Sequence, residues 1–278
     1  MSVKQLLCLN KFFKLPKHPF NMQQNGEMTY AEWQFEKGID TIKFYLDHTD
    51  EKEMFFGKNV LDIGCGAGGK SLYYLSKGAE HVTGVDVVEK YKDESNSLMK
   101  KLNLEGFEFV SADAAKMPFN NSVFDTVIMN DAMEHVQDPA AVLQEVYRVL
   151  KPNGKLYINF PPYNHPFGAH LSDAIGIPWV HLIFKEKTLI DGYKEIMKDN
   201  PDGDERINFR IGVNNDGKEY FSYINKMSSK RFNKIINETK FKLEYYREVP
   251  LRNFLAPFSR IKLLNDCFTK MVVCVLSK

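Results

Sequence analysis

Between residues 60 and 160, short apolar runs alternate with stretches of helical spacing. The runs are Val60-Leu61-Asp62-Ile63, His81 to Asp86, Phe107 to Ser111, Phe124 to Asn130 and Lys155 to Phe160, and each has the length of a strand. Between them, Lys70 to Lys77, about Val88 to Asn103, and Pro139 to about Leu150 read as helices. Gly78 stops the first where a left-handed residue is wanted. Asp138 caps the third and Pro139 takes its first position. Lys151-Pro152-Asn153-Gly154 reads as a turn. Regular alternation of strand and helix requires parallel strands with helical crossovers. The expected fold is α/β, a Rossmann-like doubly wound sheet.

Both flanks leave this rhythm. Lys4 to Leu15 is basic and apolar together, and Pro16 and Pro19 break it. It reads as a segment folded over the cleft, with a membrane-surface helix as the alternative. Thr29-x-x-Glu32 is a capping box, and Trp33, Phe35, Ile39, Ile42 and Leu46 give one helical stripe. That helix packs on the sheet, covers the cleft, or does both. Pro161 to Lys226 reads as a substrate-binding insertion. Inside it, Lys187 to Lys198 is helical, and Ile207, Phe209 and Ile211 alternate into a hairpin closed by Asn214 to Gly217 and returning through Tyr220 to Ile224. Arg206 and Arg210 would lie along that hairpin, solvated or facing an acidic substrate. Ser228 or Ser229 caps a helix through Asn237, and Phe241 to Val249 and Phe268 to Leu276 read as two more strands. Pro250 to Asp266, between them, would add to the pocket rim. The parts are thus a cap segment (1–50), a core (51–161), the insertion (162–227) and the end of the sheet (228–278).

The chemistry concentrates where the first run stops at Gly64, Gly66, Gly68 and Gly69. Glycines there allow positive φ and let a ligand lie against bare backbone, facing the amides of the next helix. Gly64-x-Gly66-x-x-Gly69 also matches the dinucleotide fingerprint, with Asp86 at about the ribose distance. Asp62 separates the readings: a carboxylate before the first glycine repels a pyrophosphate and attracts an ammonium and a sulfonium. Asp86, ending the second strand, can accept both ribose hydroxyls.

Asp62-x-Gly64-x-Gly66-x-Gly68 resembles the first motif of class I methyltransferases dependent on S-adenosylmethionine (SAM), of the type 11 kind, from about Val60 to Phe160. The resemblance implies SAM as cofactor and an antiparallel last strand in a mostly parallel sheet. It implies a cofactor site of Asp62, Gly64, Cys65, Gly66, Gly68, Asp86, Val87, Asp113, Ala114 and Asn130, with Asp113 and the Ala114 amide at the adenine. Asp131 to Pro139 is similar to a loop of ubiquinone-biosynthesis O-methyltransferases, where two acids and a histidine bind a divalent ion. The matching set is Asp131, Glu134 and His135, with Asp131 one carbon shorter than the glutamate found there; the reading adopted is a site without metal. A hydroxyl acceptor needs a base, and the candidates are His135, then His170 or His165.

Composition narrows the partners. A formal charge of +1 gives no basic surplus for nucleic acid. Cys8, Cys65, Cys267 and Cys274 form no C-x-x-C pair. No signal peptide or membrane-spanning run is apparent, so a cytoplasmic protein without stable membrane insertion is expected. Aromatics at 13% suit an apolar pocket in the insertion. The expected function is methyl transfer to an O, N or C atom of a small molecule, such as a specialised metabolite, lipid or glycan intermediate. A SAM-binding protein without turnover and a nicotinamide-dependent oxidoreductase are the alternatives.

Overall fold

The computed structural model describes residues 1–259, 261 and 264–278. Five short helices, α1 (Val3–Asn10), α2 (Pro19–Gln24), α3 (Tyr30–Glu36), α4 (Gly38–Ile42) and α5 (Glu51–Phe55), precede β1 (Asn59–Ile63). Then come α6 (Gly69–Ser76), β2 (His81–Asp86), α7 (Tyr91–Lys101), β3 (Phe107–Ser111), β4 (Phe124–Asn130), α8 (Pro139–Val149) and β5 (Leu150–Phe160). The insertion holds α9 (Val180–Ile183), α10 (Glu186–Met197), α11 (Gly203–Arg210), β6 (Ile211–Val213) and β7 (Glu219–Phe221). The chain closes with α12 (Ser229–Asn237), β8 (Lys242–Pro250) and β9 (Thr269–Ser277).

Seven strands form one sheet in the order β3-β2-β1-β4-β5-β9-β8, and only β9 runs against its neighbours. Side chains alternate between two buried faces, as the period of two demands. Leu61, Ile63, Val127, Met129, Leu156 and Ile158 point to one face, where α8 and α12 pack through Val142, Val146, Phe232 and Ile236. Val60, Ile128, Tyr157, Val273 and Val275 point to the other, where Leu72 and Tyr74 of α6 meet Tyr45, Met54 and Phe55. The expected fold, including the antiparallel last strand, is the observed one. A third core lies inside the insertion, built from Leu189, Ile190, Tyr193, Phe221 and Ile224, and completed by Leu6 of α1.

Five local expectations change. The single helix after Thr29 is two, parting at Lys37; at Gly38 bare backbone lets the chain pass close to α6, where a Cβ would fall 2.2 Å from the Tyr73 ring. Lys151 to Gly154 is a bulge within β5 rather than a turn before it, with Asn153 at φ 64°. Ile207 and Phe209 belong to α11, and only Ile211–Val213 pairs with Glu219–Phe221. Helical spacing puts Arg206 and Arg210 on one face, where both are buried against Asp173 at 3.4 and 3.2 Å; they are neither solvated nor arrayed along a strand. Finally, α1 packs on α10 in the insertion core and does not cover the cleft. Within the expected pocket rim, Arg260, Lys262 and Leu263 lie outside the described residues.

Candidate functional site

The sheet order reverses between β1 and β4, and the carboxyl ends of strands there are where such sheets bind ligands. At the end of β1 the backbone of Gly64, Gly66 and Gly68 turns left-handed, at φ 71°, 54° and 75°. The amides of Gly64 and Cys65 both donate to the Val85 carbonyl, at 2.8 and 3.1 Å, tying the turn to β2. Cys65 is buried, with its sulfur against Gly84. Asp86 accepts from the Gly66 amide through one oxygen and from the Val88 amide through the other, both at 2.9 Å. Burial raises its carboxyl above the ordinary range, partly offset by those backbone donors. Val87 beside it is exposed.

Asp62 lies beneath the turn, buried, and accepts a 2.6 Å hydrogen bond from the Ser71 hydroxyl. Burial raises its carboxyl to about 6, against the opposing pulls of the Ser71 bond and Lys70. Lys70, in the first turn of α6, pairs at 2.9 Å with Asp131, whose backbone is left-handed at φ 52°. Asp113 follows β3, exposed, and accepts from the Ala115 amide at 2.9 Å; Ala114 is buried beside it. Asn130 sits inside the core, accepting from Tyr45 at 2.5 Å and donating to Tyr74 at 3.1 Å. Its amide thus braces β4 against the cap.

The cap helices close over the turn. Gln34 donates to the Cys65 carbonyl and accepts from the Gly69 amide, each at 3.2 Å. A Cβ at Gly66 would lie 2.8 Å from the Gln34 amide nitrogen and 3.2 Å from the Tyr30 ring. Nothing in the sequence around Gln34 marks it, since its partners are 31 and 35 residues away.

The loop after β4 meets the insertion. His135 Nδ1 faces the Tyr223 carbonyl at 2.7 Å, so Nδ1 carries the proton and Nε2 presents a lone pair. The ring stands edge-on to His170 at 4.8 Å. Glu134 is buried beneath them, with Oε1 3.9 Å from His135 Nε2 and 3.8 Å from His170 Nε2. Among the described residues neither Glu134 oxygen has a hydrogen-bond partner. Burial, reinforced by Asp131, pushes its carboxyl well above the ordinary range; burial pushes His170 well below the imidazole range and His135 below it. Both imidazoles are therefore neutral near neutral pH, and the two close approaches are not ion pairs. These ligand atoms lie within 4.8 Å of one another, so the set that a cation would meet is Glu134, His135 and His170. Asp131 is outside that group, held by Lys70. His165 is separate too: its Nδ1 accepts from the Phe167 amide at 3.1 Å, and burial lowers its imidazole to about 4.

The residues present suit SAM. Three acids, Asp62, Asp86 and Asp113, stand along one edge of the sheet, at the ends of three neighbouring strands. That set of acceptors repels a diphosphate and complements a ligand with an ammonium at one end and hydroxyls and an amino group at the other.

A model of the methyltransferase domain family matches residues 61–158. Phosphoethanolamine N-methyltransferase 3 of Arabidopsis thaliana is 34% identical over 122 residues, 44% of this chain and 24% of that one. Demethylmenaquinone methyltransferase of Listeria welshimeri is 34% identical over 122 residues, 41% of this chain and 52% of that one. The matches thus span between a quarter and about half of these relatives. Among solved structures, a SAM-dependent methyltransferase from Methanosarcina mazei is 22% identical with a TM-score of 0.52, covering 84% of this chain and 96% of that one. Another from Mesorhizobium loti is 15% identical with a TM-score of 0.53, covering 89% and 98%. These share the fold. Glycine turn, ordered acids and sheet order agree with the family match: residues 61–158 match a methyltransferase domain, on a fold shared with SAM-dependent methyltransferases of known structure.

Proposed function

We propose that this protein transfers a methyl group from SAM to a small molecule held between the glycine turn and the insertion. SAM supplies a methyl group already activated by its sulfonium. In this reading Asp62 faces the ammonium of the amino-acid tail and Lys70 its carboxylate, while Asp86 takes the ribose hydroxyls and Asp113 with the Ala114 amide takes the adenine. The family-derived contact at Asn130 would be through backbone, since its side chain is occupied by Tyr45 and Tyr74.

One observation carries the acceptor side: His135 has Nδ1 fixed on a carbonyl and Nε2 free, beside a second neutral imidazole. A hydroxyl acceptor must lose its proton, and Nε2 of His135 is oriented to take it. His170 and the Glu134 carboxyl would then orient that ring or pass the proton on. Tyr223, stacked on His135 at 5.9 Å, keeps water from one side. His165, with its Nδ1 already bonded to backbone, is the weaker base candidate. Nitrogen or carbon acceptors would ask less of His135.

Calorimetry with S-adenosylhomocysteine and, separately, NAD is the direct test. Binding of the first and not the second is expected; the reverse would return the nicotinamide reading. Release of S-adenosylhomocysteine is then measured over an acceptor panel that includes phosphoethanolamine and demethylmenaquinone, the acceptors in the relatives' names. Binding without release by any acceptor would leave a SAM-binding module without turnover.

A further inference from the structure

One side of the insertion carries exposed aromatics and lysines that the candidate site does not use. Residues 1–26 and 249–265 contain no acid, in a chain of almost balanced charge. Lys11-Phe12-Phe13-Lys14-Leu15 is exposed throughout, Phe12 to 81%. Its backbone lies on the insertion: a Cβ at Gly176 would meet the Lys14 carbonyl at 2.9 Å, and the Asn10 side chain bonds to both Ala174 and Gly176 at 2.9 Å. Three residues further, the Trp179 indole donates to the Cys267 carbonyl at 3.3 Å and its ring lies 6.1 Å from Phe268, which Phe258 meets at 5.4 Å. Leu182 and Ile183 of α9, and Phe254, Phe258 and Ile261, are exposed beside this seam. Three segments distant in sequence therefore adjoin with apolar tips outward.

The cations of these segments are unspent. Lys11, Lys14, Lys17, Lys185 and Arg252 form no ion pair among the described residues, whereas Lys37, Lys43, Lys70 and Lys77 are paired. Lys11 shares a surface hollow with Asp191 and Glu195 of α10, but aromatic tips among free lysines, on segments that carry no acid of their own, match the interfacial level of an anionic membrane: rings enter the headgroup layer while ammonium groups meet phosphates. A protein partner fits less well, because protein interfaces are depleted in lysine. No helix among the described residues is long and apolar enough to cross a membrane, so the contact is with its surface.

We propose that this face docks on an anionic phospholipid bilayer, with Phe12, Leu182, Ile183, Phe254 and Phe258 as anchors. The docked side continues toward the site, since Lys270 and Met271, just beyond Phe268, line a cavity of about 380 Å³ together with Lys70 and Asp131. The docking stands whether or not the methyl-transfer reading does.

Co-sedimentation of the full chain with vesicles tests it. Binding to vesicles containing phosphatidylglycerol should exceed binding to phosphatidylcholine alone by at least about tenfold, and should fall at high salt. Each lysine near the surface is worth about fivefold, so Lys11→Gln/Lys14→Gln/Lys17→Gln should weaken binding on the order of a hundredfold. Phe12→Ser/Phe254→Ser should weaken it while keeping the salt dependence. All these positions are exposed, and an unchanged melting temperature shows that the variants fold. No binding, equal binding to neutral vesicles, or undiminished binding by the lysine variant overturns the proposal. So does a dimer in sedimentation velocity that the same variants dissociate while vesicles stay unbound.

Discussion

Asp62 is asked to be two things, a buried carboxyl and a partner for a cation. Burial raises its pKa to about 6. Because the folded value lies above the unfolded one of about 3.9, the neutral form stabilises the free protein at low pH. That contribution is complete below about pH 4 and is lost as pH rises through about 6. Binding of a cationic tail has the opposite sign, since it uses the ionised form. Affinity for S-adenosylhomocysteine should therefore be flat above about pH 7 and fall about tenfold per unit below about 6, as titration calorimetry across that range would record. Asp62→Asn should weaken binding and flatten the pH dependence. Lys70→Ala should weaken S-adenosylhomocysteine by about tenfold or more and leave 5′-methylthioadenosine, which lacks the amino-acid tail, nearly unchanged. Equal losses for both ligands would remove Lys70 from the tail. At the acceptor side, His135→Gln should lower turnover by a factor of about 10² to 10⁴ with a hydroxyl acceptor, with S-adenosylhomocysteine affinity intact.

At the scale of elements, the cap helix α3 and the core helix α6 meet without room for a methyl group. A Cβ on Gly69 would fall 1.9 Å from the Ala31 carbonyl and 2.7 Å from the Phe35 amide. Both obstacles are backbone, so Gly69→Ala must part the two helices. Overpacking of this kind costs about 1–3 kcal/mol or more. Differential scanning calorimetry should show the loss, and S-adenosylhomocysteine affinity should fall with it because Gln34 is displaced from the glycine turn. In the insertion, α11 is decided by charge as well as by hydrophobicity. Arg206 and Arg210, four residues apart, share the buried Asp173, which also accepts from Tyr193 at 2.8 Å. Four aromatic rings surround the Arg210 guanidinium within 5.3 to 5.7 Å. Asp173→Asn would leave the buried Arg210 without its anion, while Arg206 keeps Asp202 at 2.9 Å, and a loss of about 3–5 kcal/mol in denaturant unfolding is expected.

Across the whole molecule, the first and last segments finish structures begun elsewhere. Leu6 is fully buried in the insertion core, and a Cβ at Gly192 would lie 2.4 Å from its methyl group. Leu6→Ala should cost about 2–5 kcal/mol, read as a lowered melting temperature, even though it lies 180 positions before the start of the helix it supports. How legible such features were depends on sequence distance. The strands and helices of residues 60–160 announced themselves because period and punctuation are local. The glycine turn was equally plain, since three left-handed positions in a row of five residues strongly favour glycine. Alternation at Ile207, Phe209 and Ile211 misled, because three apolar residues fit a strand's period while the arginines beside them fit a helix's. Gln34, the pairing of His170 with His135, and the Tyr223 carbonyl left no trace in sequence, each being a contact across 31 to 88 positions.

By itself, then, the sequence determined the sheet, its helical crossovers, the glycine turn and the order of acids after Asp62, because backbone conformation and charge type are properties of neighbouring residues. Tertiary structure alone decided which histidine stands beside His135, that Glu134 lies buried and, among the described residues, without a hydrogen-bond partner beneath them, that the arginines of α11 turn inward, and that the insertion touches Lys14 at Gly176 and Cys267 at Trp179. Those are facts of long-range packing, where burial sets protonation and proximity sets partners, and no local pattern carries them.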